Sequence, residues 1–197
     1  MDEGRRALLA ELHADGLTFD AAQEDRLNRR RNLEPASAEL LALVVRMVDA
    51  RLVVEVGTSN GYSTIWLADA VADTGGRVVS VDADAIDGAS ENLNRARLAE
   101  PVELVRGDGG AYLANLADDS VDVLFLDAER TEYTGWWPHP VRVLRPGGVL
   151  VIDNVLAPSP DELTDFLALV GADDRLVGTT VEIGKGLHLA WRRGRRT

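Results

Sequence analysis

Two hydrophobic rhythms alternate along the chain. Short aliphatic and β-branched runs occupy Leu52–Val56, Val78–Val81, Val102–Val105, Val121–Leu126 and Val149–Ile152. Runs of this length suit strands buried on both faces of a parallel sheet. Between them, residues 63–72, 85–98, 111–116 and 136–144 read as helices. Strand and helix therefore alternate, which predicts an α/β fold with a doubly wound, mainly parallel sheet that binds ligands beyond the strands' carboxyl ends.

The flanks read differently. Ala7, Leu8, Leu9 and Leu12 lie at helical spacing within residues 5–13, and a more polar helix is predicted over Ala21–Arg31, before Pro35. Ser37–Asp49 places Leu40, Leu41, Val44, Val45 and Val48 on one side of an amphipathic helix. After a helix at 161–170, the apolar runs 175–183 and 187–191 flank Gly184-Lys185-Gly186. A short Gly-containing connection between β-rich runs reads as a hairpin, so seven strands are expected, the last two antiparallel. The organisation is then accessory helices over 1–36, one domain over 37–192 and a basic tail over 193–197.

Composition narrows the partners. The 197 residues carry 33 acidic and 21 basic side chains, a net charge of -12, which argues against a nucleic-acid backbone as partner and favours a small molecule. With no cysteine, any metal must be held by oxygen or histidine. No stretch approaches the roughly 20 apolar residues of a membrane span, so a cytoplasmic location is expected. The basic runs Arg29-Arg30-Arg31 and Arg192-Arg193-Gly194-Arg195-Arg196 read as solvated face and tail, without a function.

Candidate chemistry gathers at the strand exits. Gly57-Thr58-Ser59-Asn60-Gly61 joins the first strand to a helix, a turn where backbone can approach a ligand and free N–H groups favour electron-rich groups. Asp82 ends the second strand, 25 positions after Gly57, and is placed either to accept ribose hydroxyls or to cap the next helix. The turn lacks the G-x-G-x-x-G spacing of dinucleotide enzymes, which favours another adenosyl ligand over NAD. Asp127, Asp153 and Asn154 end the fourth and fifth strands. Three hard oxygens suit Mg²⁺ or a similar ion with open positions, and the bland alternative is that the aspartates cap loops.

The stretches 54–63, 79–82, 123–133 and 144–155 resemble, in order, the motifs of the cation-dependent class I O-methyltransferases, the catechol and caffeoyl-coenzyme A enzymes and their bacterial relatives. The resemblance implies a Rossmann-like fold and S-adenosylmethionine in the Gly57 turn. It puts Glu55, Gly57, Tyr62 and Ser63 at the methionine end, Asp82 on the ribose, and Asp108 and Gly109 beside the adenine. Asp127, also beside the cofactor, would hold Mg²⁺ or another divalent cation with Asp153 and Asn154. The acceptor would be a small hydroxylated, catechol-like molecule, and a homodimer paired through the N-terminal helices is expected.

One position departs from the pattern. The family's usual lysine, three places after the first metal-binding aspartate, is Arg130 here. Arginine stays protonated, so as a catalytic residue beside Asp127 it would stabilise an oxyanion or pair with a substrate carboxylate; otherwise it is a surface arginine paired with Glu129 or Asp127. Replacement bases would be His139, Lys185 or a metal-bound hydroxide. The Trp136-Trp137 pair reads as packing between helix and sheet, with a substrate wall as the alternative. Two further readings stay open: a metal-independent small-molecule methyltransferase, and an S-adenosylmethionine-binding protein without catalysis.

Overall fold

The computed structural model describes residues 1–25, 29–84 and 86–194. The aliphatic runs form β1 (Leu52–Val56), β2 (Arg77–Asp82), β3 (Val102–Arg106), β4 (Val121–Leu126) and β5 (Leu144–Ile152), followed by β6 (Leu176–Val181) and β7 (Leu187–Arg192). They make one seven-stranded sheet in the order β3-β2-β1-β4-β5-β7-β6. The first five strands run parallel, and β7 is antiparallel to both β5 and β6. The strand order reverses between β1 and β4, which is where such sheets open a crevice at their carboxyl ends.

Alternation divides the core. Val53, Phe125 and Val151 face one side with Leu41 of α2 (Pro35–Met47) and Ile65 of α3 (Tyr62–Thr74). Val54, Leu124, Leu126 and Leu150 face the other with Tyr133 and with Phe166 of α7 (Thr164–Ala172). Both sets are fully buried, each large side chain contributing about 2–3 kcal/mol, so the central strand exits are held rigidly. α1 (Glu3–Ala21) and α4 (Asp87–Ala96) complete the first layer; α5 (Gly109–Asn115) and α6 (His139–Val143) lie on the second.

Three segments depart from the expected pattern. α1 continues to Ala21 instead of stopping near residue 13, its buried side made by Leu8, Leu9, Leu12 and Gly16. The helix expected over 21–31 is absent from the described residues 22–25 and 29–31; residues 26–28 lie outside the description. There the Asp20 carboxylate accepts the backbone N–H groups of Arg30 and Arg31, offering the chain a turn in competition with a helix. Of the helix expected over 136–144 only the short α6 forms: Trp136 ends a 3₁₀ turn, Arg130–Trp136, and Leu144 already begins β5. Pro138 and Pro140 supply no N–H donors and restrict the residues before them.

Among the described residues, no helix is long and apolar enough to cross a membrane.

Candidate active site

The crevice at the β1/β4 reversal is a cavity of about 1310 Å³. Gly57, Tyr62, Ser63, Asp82, Asp108, Gly109, Asp127, Arg130 and Asn154 all line it. Glu55 and Asp153 stand behind its wall, fully and almost fully buried.

The glycine turn is shaped by its neighbours. Gly57 has φ +109°, and a Cβ there would run into the carbonyl oxygen of Asp127. Backbone bonds tie Gly57 N to Val81 O and Asp127 N to Val56 O, both at 2.9 Å. Asp82 Oδ2 accepts the N–H groups of Thr58 and Ser59 at 2.8 Å each, and its Oδ1 accepts that of Asp84 at 2.9 Å. In this structure, then, the strand-two aspartate braces the turn instead of capping α4, and lone pairs remain for further donors. Gly61, at φ +81°, is the N-cap of α3, and the helix's first N–H, that of Tyr62, donates to Asn60 Oδ1 at 3.3 Å.

Behind the turn, Glu55 Oε1 accepts from Ser63 Oγ at 2.5 Å, while Oε2 accepts from Thr64 Oγ1 at 2.6 Å and Ser80 Oγ at 2.5 Å. Burial pushes the Glu55 carboxyl up to about 7, with the three hydroxyls pulling the other way. Glu55 thus reaches the cavity through Ser63. At the exit of β3, Asp108 caps α5 by accepting the Ala111 N–H at 2.6 Å. Gly109 and Gly110 press against the Trp136 indole, which itself stacks 4.8 Å from Tyr133 and still borders the cavity. The indole serves as packing and as wall together, which local sequence could not separate.

The other half lies at the exits of β4 and β5, which pair side by side. Burial, and next the charge of Asp153, hold the Asp127 carboxyl well above its usual range; burial also pushes Asp153 up to about 6. Asp153 Oδ1 is buried without a hydrogen-bond partner among the described residues. Asn154, at φ +61°, donates its amide to Asp127 Oδ1 at 3.2 Å, which leaves its side-chain oxygen available. Two near-buried carboxylates with an unpartnered oxygen and an amide oxygen are a donor set that fits a hard divalent cation. Among the described residues no group of three or more His, Asp or Glu side chains could hold an ion, so the amide is needed as a third donor.

Arg130 is not a surface side chain. It is 5% exposed, donates to the Asn154 carbonyl at 3.1 Å and pairs with Glu162 at 2.7 Å, not with Glu129 or Asp127. His139 is absent from the cavity lining and accepts from Arg142 Nε at 3.2 Å, so its candidacy as a base is withdrawn. Lys185 does border the cavity, its ammonium 3.1 Å from Glu34. The sequence reading missed the strap 29–33, which contributes Arg29, Arg30 and Arg31 to the lining. The available signal was a run of three arginines in a strongly acidic chain.

The sheet order and the rim cavity define a Rossmann-like methyltransferase fold. The family model described as "O-methyltransferase" matches residues 15–193, and the chain belongs to that family as an S-adenosylmethionine-dependent O-methyltransferase. A catechol O-methyltransferase of Niastella koreensis is 28% identical over 168 residues, 77% of this chain and 76% of its own. One from Mycobacterium tuberculosis is 38% identical over 120 residues, 60% of this chain and 54% of its own. The O-methyltransferase of Bacillus cereus, crystallised in complex with SAH, superposes with a TM-score of 0.79 at 27% identity, covering 95% of this chain and 91% of that one.

Proposed function

We propose that the protein methylates a hydroxyl of a small catechol-like acceptor, with S-adenosylmethionine on the β1–β3 side and a divalent cation, Mg²⁺ or similar, on the β4–β5 side. The observation that carries the metal part is the buried, unpartnered oxygen of Asp153 beside Asp127. Support for the acceptor comes from the names of the two catechol O-methyltransferases, and for the cofactor from the SAH complex of the Bacillus cereus relative.

Each residue then has a task. Gly57 lets the cofactor lie against the backbone; the first N–H groups of α3 and the Glu55-oriented Ser63 hydroxyl receive its methionine end. Free lone pairs of Asp82 accept the ribose hydroxyls, and Gly109, Asp108 and Trp136 border the adenine. Asp127, Asp153 and Asn154 would hold the cation. When bound, the cofactor supplies an activated methyl group and the cation favours the ionised acceptor hydroxyl. The chain's contribution is alignment in a cavity partly closed from water. Arg130 cannot take a proton; through the Asn154 carbonyl it positions the loop that carries two of the three donors. We also take the protein to work in the cytoplasm as a homodimer, with the exposed Leu43 and Met47 of α2 as the support for pairing.

Methyl transfer to a panel of ortho-dihydroxy arenes, measured with and without a chelator, tests this reading. Chelation is expected to stop the reaction; an unchanged rate would remove the metal.

A further inference from the structure

The strap over the cavity has a built-in charge that the methyl-transfer chemistry does not use. Residues 29–33 are fixed by their backbone. Asp20 Oδ1 and Oδ2 accept the N–H groups of Arg30 and Arg31 at 2.6 and 2.9 Å, and Ser59 Oγ donates to the Arg30 carbonyl at 3.1 Å. Asn32 donates to the Leu12 carbonyl at 2.9 Å, and Leu33 is buried in the core. The strap is therefore tied to α1 on one side and to the glycine turn on the other.

Its three guanidinium groups differ in what they touch. Arg29 donates to the Gln23 carbonyl at 3.1 and 3.4 Å, and Arg30 lies over the Phe19 ring at 4.3 Å. Arg31 is half-buried, borders the cavity at φ +50°, and its side chain has no hydrogen-bond or ion-pair partner among the described residues. Arg31 and Asp127 line the same cavity. A partly desolvated, fully ionised arginine is costly without an anion to receive its fork of donors. An anion bound in the cavity would receive it.

We propose that Arg31 recognises an anionic group on the acceptor, so that the preferred substrate is a hydroxylated arene carrying a carboxylate or a phosphate ester instead of a neutral catechol. The proposal rests on the methyl-transfer reading. A local cation is also what such a substrate needs to enter a protein of net charge -12. Bidentate geometry makes arginine suited to this task, and lysine would reproduce it only in part.

The test compares kcat/KM for 3,4-dihydroxybenzoate, for a phosphate ester of an ortho-dihydroxy arene, and for catechol itself. The wild type is expected to prefer an anionic acceptor by about 10-fold or more, the energy of one charge-assisted contact, and the larger of the two ratios names the anion. In Arg31→Gln the anion-to-neutral ratio should fall to about one, and Arg31→Lys should keep part of it. An equal or reversed preference in the wild type overturns the proposal. So does an unchanged ratio in Arg31→Gln, or a loss confined to affinity for S-adenosylhomocysteine, which would assign Arg31 to the cofactor. Titration of S-adenosylhomocysteine-saturated protein with 3,4-dihydroxybenzoate and with catechol separates the two layers. Arg31-dependent binding of the acid without turnover of any acceptor would sink the methyl-transfer reading and keep the anion site; turnover without preference does the reverse.

Discussion

On the β1–β3 side of the cavity the carboxylates are answered from within the chain: Asp82 by three backbone N–H groups, Asp108 by one, Glu55 by three hydroxyls. On the β4–β5 side Asp153 keeps a buried oxygen without a hydrogen-bond partner among the described residues, and burial together with the charge of Asp153 raises the carboxyl of Asp127. The first half is preorganised by the fold and needs no ligand to be stable. The second is an arrangement of like charges that a cation would relieve. Binding and chemistry therefore fall on different strands, and each can be damaged without the other.

The largest effect expected is at Asp153. Asp153→Ala should lower methyl transfer by about 10³-fold or more, the scale seen when a preorganised charge is removed from a reacting centre, with cofactor affinity changed less than about threefold. Initial rates and a cofactor titration measure both. In metal-free protein Asp153→Asn should raise Tm, because one of two neighbouring buried charges disappears. Equal loss of cofactor binding would break the division between the halves.

Gly57→Ala attacks the other half. A left-handed φ and a Cβ driven into the Asp127 carbonyl should together cost about 3 kcal/mol, or a Tm lower by about 6–12 °C for a chain of this size. Cofactor binding should weaken even where the variant is folded. A variant with unchanged Tm would show that the turn yields more easily than its contacts imply.

These two positions also show why one half was easier to read from sequence. Gly57, Asp82, Asp127, Asp153 and Asn154 stand immediately after aliphatic runs, so strand periodicity alone put them on one rim, and the sheet order then made β4 and β5 neighbours. The strap had no such marker. Its shape depends on Asp20, ten residues away, accepting two backbone N–H groups, and a periodicity argument sees only a polar helix there. Arg130 was misjudged for a similar reason: Glu162 and the Asn154 carbonyl, 32 and 24 positions distant, turn an apparent surface charge into a buried clamp. Trp136 and Trp137, the two residues preceding Pro138, were read as part of a helix because the proline's effect on its neighbours was set aside.

Glu55 gives the preorganised half a pH dependence. Its carboxyl is raised in the folded protein from an ordinary 4.5 to about 7 by burial, so the folded state holds the proton more tightly than the unfolded chain. The stability this proton contributes is fully present below about pH 4.5 and is lost as pH rises through about 7, up to about 3 kcal/mol in all. Asp127 and Asp153 are raised too and tilt the curve in the same sense, so the informative quantity is a difference. Thermal melts of wild type and Glu55→Gln between pH 5 and 8 should converge or cross as pH rises, the variant having the flatter curve. Parallel curves would mean that Glu55 stays ionised throughout, held by its three hydroxyl donors.

Arg130 offers the smallest change and the sharpest view of the border between the halves. Arg130→Met removes an ion pair to Glu162, whose side chain is about one-fifth exposed, and frees the Asn154 carbonyl. Partial exposure limits the cost to about 1–2 kcal/mol. If Arg130 acts by positioning, kcat should fall while cofactor affinity holds, and the fall should be partly recovered by raising the concentration of divalent cation, because the loop that loosens carries Asp153 and Asn154. Arg130→Lys restores a positive charge that can pair with Glu162, but it also introduces a group able to lose a proton. A positioning role predicts that the lysine variant recovers rate with an unchanged pH profile. A new pH-dependent limb in that variant would show that this position touches the acceptor's proton, and would move Arg130 from the supporting loop into the chemistry.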